Sequence, residues 1–162
     1  MHSEAVFLSV RPKYAERILK GSKRAEMRRV FPNVRAGQVF LLYSSSPTMA
    51  LVGWGLVEKV VTGDPEGLWP LVQSAAGLSH AEFATYFSGA SRAGAIWLRD
   101  VKQFARPLGL KEMRKRWPWL QPPQSYCFVS ASVSERNAVT LRPRGQAQHR
   151  ERGRSSHERP SR

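Results

Sequence analysis

Lys23, Glu26 and Arg28 fall close together in the chain and carry groups able to do chemistry. In an extended segment side chains alternate, so Glu26 and Arg28 share one face, with Lys23 at the start of the strand. A carboxylate held between two cations aligns them against a phosphate or a base. Arg28 suits a bidentate contact to a phosphate or a base edge. Lys23 suits a phosphate contact or, if desolvated, a general base. The plainer alternative is a solvated salt-bridge face on an edge strand.

Around these three lies a basic cluster of Arg11, Lys13, Arg17, Lys20, Arg24, Arg29 and Arg35. Helical spacing sets Lys13, Arg17 and Lys20 at neighbouring positions, away from Tyr14 and Ile18, as a stripe able to follow a phosphate backbone. Two polar turns add hydrogen-bonding groups: Ser44 and Ser45, before Ser46-Pro47, and Gln124 and Ser125, after two prolines. Each is equally a structural turn. Of the tryptophans, Trp54 and Trp97 sit in apolar runs and read as core. Trp117 and Trp119 lie beside Arg114-Lys115-Arg116 and are the better stacking candidates for unpaired bases.

Other chemistries find little footing. No Cys/His spacing matches a zinc site, no glycine pattern resembles a phosphate-cradling loop, and no G-x-S-x-G is present. Neither metal nor cofactor is expected. Cys127 stands alone among apolar neighbours, which fits a buried thiol in a reducing cytoplasm. No run approaches the roughly 20 apolar residues of a membrane span, and the first residues lack signal-peptide character.

The net charge is +14 over 162 residues. Residues 1–133 contribute +9 of it and residues 134–162 contribute +5. The excess therefore belongs to the body as well as the end, and a basic body attracts polyanions, nucleic acid foremost. From 134 onward, apolar residues are too few to offset the entropy of ordering. This gives two parts: a folded domain over 1–133 and a disordered arginine-rich tail over 134–162.

The elements that must position these groups are legible from periodicity. Ala5–Val10 reads as a buried strand, Pro12 opens a helix, Gly21 stops it, and Lys23–Val30 reads as a second strand. Strands follow at 38–43, 50–61, 94–104 and 126–129. Short helices fall near 65–72, 79–87 and 110–116, the second announced by Ser79 and Glu82 in capping-box spacing. Strands and helices do not alternate regularly, which points to an α+β fold built on a small, mostly antiparallel barrel with short accessory helices.

In this order, the run R-P-K-Y-x-x-x-I-L-x-G-x-K-x-x-E-x-R from Arg11 to Arg28 and the late P-P-Q-S-Y from Pro122 to Tyr126 resemble the ASCH family of PUA-like domains. The resemblance covers about Val6 to Val129. It implies a PUA-like β-barrel, a basic cleft beside the first helix, and RNA as partner. The nucleic-acid-binding set is then Arg11, Lys13, Lys23, Glu26, Arg28, Ser44, Ser45, Gln124 and Ser125. It also implies an alternative, an enzyme acting on RNA or on a modified nucleoside, with Lys23 and Glu26 as candidate catalytic residues. One branch resembles ribonucleases, another amidohydrolases of N4-acetylcytidine. From the latter pattern this chain departs twice, with Glu26 where a hydroxyl residue is expected and no acid in Gln73-Ser74-Ala75-Ala76.

Overall fold

The computed structural model describes residues 2–134 and 138–145 of the chain. Its elements are β1 (Ser3–Val10), α1 (Pro12–Lys20), β2 (Ala25–Arg28), β3 (Val39–Ser44), β4 (Ala50–Gly63), α2 (Pro65–Val72), α3 (His80–Tyr86), β5 (Ala93–Gly109), α4 (Leu110–Arg116), β6 (Tyr126–Val133) and β7 (Val139–Arg142).

Local signals set the boundaries. Pro12 opens α1, and Gly21 closes it in the left-handed region at φ 81°, a conformation that glycine adopts without steric cost. Asp64 caps α2, and Ser79 with Glu82 forms the reciprocal capping box of α3. The second strand is shorter than its pattern predicts, since Lys23 and Arg24 lead into β2 rather than belonging to it.

The seven strands form one sheet in the order β2-β5-β4-β3-β1-β6-β7. β1 and β3 run parallel, and every other pair is antiparallel. The α+β class and the mostly antiparallel pairing agree with expectation. The closed barrel does not: among the described residues the ladder is open, with four-residue strands β2 and β7 at its ends. The reason lies in burial. Val6, Leu8 and Val10 of β1 enter a core beneath Ala15 and Ile18 of α1, whereas Ala5 and Phe7 enter another beneath Met113 and Trp117. A sheet with apolar packing on both faces is covered by helices rather than rolled around a single interior.

A third cluster joins Ala25 and Met27 of β2 to Leu68 and Val72 of α2 and to Phe83 and Phe87. The boundary expected after Val133 is crossed by β7, which pairs with β6 from Ser130↔Arg142 to Val133↔Val139 and buries Leu141. Four residues sufficed because an existing strand edge supplied the partners that composition could not reveal. The arginine-rich segment from 146 lies outside the described residues.

Candidate nucleic-acid interface

A cleft of about 800 Å³ opens where the C-terminal end of β1 meets α1, β2, α3 and the segment before β6. Arg11, Lys23, Glu26, Arg28, Ser45, Gln124 and Ser125 all line it. Lys13 stands at the rim, its Nζ 2.7 Å from Oε1 of Glu82, another lining residue. Ser44 is buried at the end of β3 and does not line the cleft.

The floor is an ion-pair chain. The Lys23 ammonium lies 3.5 Å from one Glu26 oxygen, and Nη2 of Arg28 lies 3.1 Å from the other. All three residues are at least nine-tenths buried, which does not fit a solvated edge-strand face. Burial is the main force on Lys23 and pushes its pKa below the ordinary lysine value, with the Glu26 charge opposing the shift. Lys23 also donates to the Ala76 carbonyl at 2.5 Å. The connection carrying Ala76 folds tightly over it. Arg24 and Ala25 amides donate to Ala75 O, and Arg17 donates to Gly77 O. Gly77 is at φ +63°, and a Cβ there would sit 2.6 Å from that of Lys23. Only glycine allows the roof to come this close.

Arg28 differs from its expected role. Its Nη1 donates to Ser125 Oγ at 2.9 Å and Ser125 O at 3.2 Å, and its Nη2 donates to Ser9 O at 3.0 Å while facing Glu26. The guanidinium fork is thus occupied by protein, tying β2 to β1 and to the start of β6. Among the described residues, its buried Nε has no hydrogen-bond partner. Arg28 offers the cleft charge, not a free bidentate face. Ser9 reinforces the same junction: its amide donates to Ser125 O and its hydroxyl to Pro123 O.

The aromatic lining comes from tyrosines. Tyr14 and Tyr86 face the cleft, and Lys13 and Lys23 each hold an Nζ 5.3 Å from the Tyr14 ring centroid. Sequence reasoning missed both rings. Tyr14 was absorbed into the apolar stripe of α1, and its i, i+4 spacing marked a helix face without telling which end opened to solvent. Trp117 is buried under α4, outside this cleft, as is the exposed Trp119. Among the described residues, no group of three or more His, Cys, Asp or Glu side chains is placed to hold a metal ion, and no helix is long and apolar enough to cross a membrane.

An open seven-stranded α+β sheet with a buried Lys-Glu-Arg chain in a cleft beside its first helix defines the class of protein structurally. The sequence matches the family described as Domain of unknown function (DUF365) over residues 3–115. It is 32% identical over 133 residues to a protein of Zymomonas mobilis named ASCH domain-containing ribonuclease, covering 82% of this chain and 88% of that one. The crystal structure of ASCH from Zymomonas mobilis superposes with a TM-score of 0.72 at 31% identity, covering 76% of this chain and 85% of that one. A tyrosine-to-phenylalanine variant of that protein gives a TM-score of 0.72 at 30% identity, over 76% and 88%. The chain belongs to the ASCH-domain family.

Proposed function

We propose that this protein binds RNA and holds a nucleotide in the cleft beside α1. The observation that carries the reading is the convergence of Lys23, Glu26, Arg28, Ser45 and Gln124, distant in sequence, on one hollow. Its volume, about 800 Å³, falls within the roughly 300–1,000 Å³ of small-molecule sites. Arg11, exposed at the mouth, meets a phosphate. Tyr14 and Tyr86 offer faces for a base, and Ser45, Gln124 and Ser125 offer polar groups for its edge. The name of the Zymomonas relative supports RNA as the polyanion.

A second reading, RNA cleavage at the same site, is favoured by buried Lys23. In its deprotonated form, which burial favours, Lys23 takes the proton from a ribose 2′-hydroxyl as that oxygen attacks the adjacent phosphorus. The P–O5′ bond breaks, leaving a 2′,3′-cyclic phosphate and, after protonation, a 5′-hydroxyl. Arg28 in the floor and Arg11 at the mouth stabilise the charge gathering on the phosphoryl oxygens. The amidohydrolase alternative gains less support, because the 73–76 connection packs on Lys23 through backbone carbonyls and brings no acid.

Fluorescence anisotropy with labelled single-stranded RNA across salt concentrations tests binding, and gel analysis of the same RNA tests cleavage. Binding that weakens steeply with salt, with wild-type cleavage lost in Lys23→Ala, is the expected result. Binding without cleavage leaves the first reading alone; no binding at low salt removes both.

A further inference from the structure

Away from the cleft, β4 and β5 place two tryptophans on the sheet face opposite α1. Ile96, Leu98 and Val101 of β5 pack into the core beneath α1, whereas Trp97 joins the margin of the α2–α3 cluster and Trp54 the margin of the α4 cluster. Both are half-buried rather than core, contrary to the reading of their apolar runs. Trp54 pairs across the strands with Lys102, and Trp97 with Lys59. In each pair the ammonium lies over the indole, at 5.2 Å for Lys102 and 4.9 Å for Lys59. Arg99, exposed and ion-paired with its neighbour Asp100, lies between them on β5 and pairs with Leu56. Trp54 and Lys59 are five residues apart, so the two indoles lie about 15 Å apart along the strands.

We propose that this ribbon is a second contact surface for single-stranded RNA, engaging the strand beyond the nucleotide held in the cleft. The inference rests on the RNA-binding reading of that cleft. Alternating indoles and cations supply what an unpaired strand requires, rings for bases and charges for the phosphates between them. A cation–π contact at an exposed site is weaker than base–indole stacking. An incoming base therefore displaces the lysine, which then swings to the neighbouring phosphate. The pairing of each lysine with its own tryptophan keeps the indole faces covered until RNA arrives.

The test uses the full chain and two labelled oligouridylates, a tetranucleotide that fills only the cleft and a 20-mer that reaches both surfaces. The double variant Lys59→Glu/Lys102→Glu is compared with Lys111→Glu/Lys115→Glu, which makes the same charge change on α4. The expected result is at least a tenfold loss of 20-mer affinity in the first variant, less than threefold in the second, and tetranucleotide binding within twofold of wild type in both. In Trp54→Phe, which keeps a ring, 20-mer affinity holds while the quenching of tryptophan fluorescence shrinks. Equal losses in the two double variants, or no loss, overturn the ribbon and leave the cleft intact. Failure of the tetranucleotide alone, with the 20-mer still dependent on Lys59 and Lys102, overturns the cleft and spares the ribbon. Equal competition by a polyglutamate peptide overturns the assignment to RNA.

Discussion

Arg28 reaches across 97 positions of sequence to donate, through a single nitrogen, to both the hydroxyl and the carbonyl oxygen of Ser125. With the bond to Ser9, this contact holds edge strand β2 against the ends of β1 and β6, where the backbone ladder makes no closure. Arg28→Ala removes the shorter of Glu26's two ion pairs together with the bonds to Ser9 and Ser125, and is expected to cost about 3–5 kcal/mol. Ser125→Ala removes one charge-assisted bond and costs about 1–2 kcal/mol. Urea denaturation of the two variants checks the order.

Lys23 stands to lose function rather than fold. Its burial lowers its pKa, so the folded chain holds this proton less tightly than the unfolded chain does. Below the folded value the burial penalty is fully present. Between that value and the unfolded one, stability rises with pH because the unfolded state binds more protons. Lys23→Met escapes this penalty and, with Arg28 still facing Glu26, is expected to stay within about 1 kcal/mol of wild type while RNA affinity or turnover falls at least tenfold. Parallel denaturation and binding curves on one preparation check both halves.

Gly77 sets the depth of Lys23. Alanine there meets the cost of a left-handed conformation, about 1–2 kcal/mol, and a clash with the Lys23 side chain. Gly77→Ala is expected to lower stability by about 2 kcal/mol or more and to move Lys23 in the cleft. Thermal unfolding and the amide shifts of residues 23–28 report the two effects.

The rim pair has its own pH signature. Contact with Lys13 and the α3 cap hold the Glu82 carboxyl down to about 2. A depressed acid contributes stability above its unfolded value, near 4.5, and loses it as pH falls toward about 2. Wild type and Lys13→Ala should therefore differ most near neutral pH, and the gap should narrow below pH 4.5. A gap that widens on acidification contradicts the assignment.

Helix α1, its glycine stop, the α3 cap and most strands were legible because each carries its own local signal. The cleft was legible in part: Lys23, Glu26 and Arg28 follow a strand pattern, and Ser45 and Gln124 stand out as hydrogen-bonding groups in polar turns. Three things were not. The occupied fork of Arg28 depends on Ser9 and Ser125, which no local pattern joins to it. The openness of the sheet depends on burial of both faces of β1, and a continuous apolar run such as AVFLSV fits a barrel or a covered sheet equally. Strand β7 lies in a polar stretch, where only the edge of β6 and the burial of Leu141 justify it.

That last point gives a further prediction. Leu141→Ala is expected to cost about 2–3 kcal/mol, at the lower end of buried leucine truncations, and a chain ended at Val133 to unfold at lower urea than one ended at Gly145. Equal midpoints for the two truncations would show β7 to be energetically idle.

The central claim, that the cleft beside α1 holds RNA, meets its most direct test in photo-crosslinking. A tetranucleotide carrying one 4-thiouridine is irradiated with the full protein, and the adducts are mapped by mass spectrometry. The account predicts attachment in peptides bearing Tyr14, Tyr86 or Ser125, suppressed by excess unlabelled tetranucleotide. Specific adducts confined to peptides outside the cleft, or none above background, would contradict it.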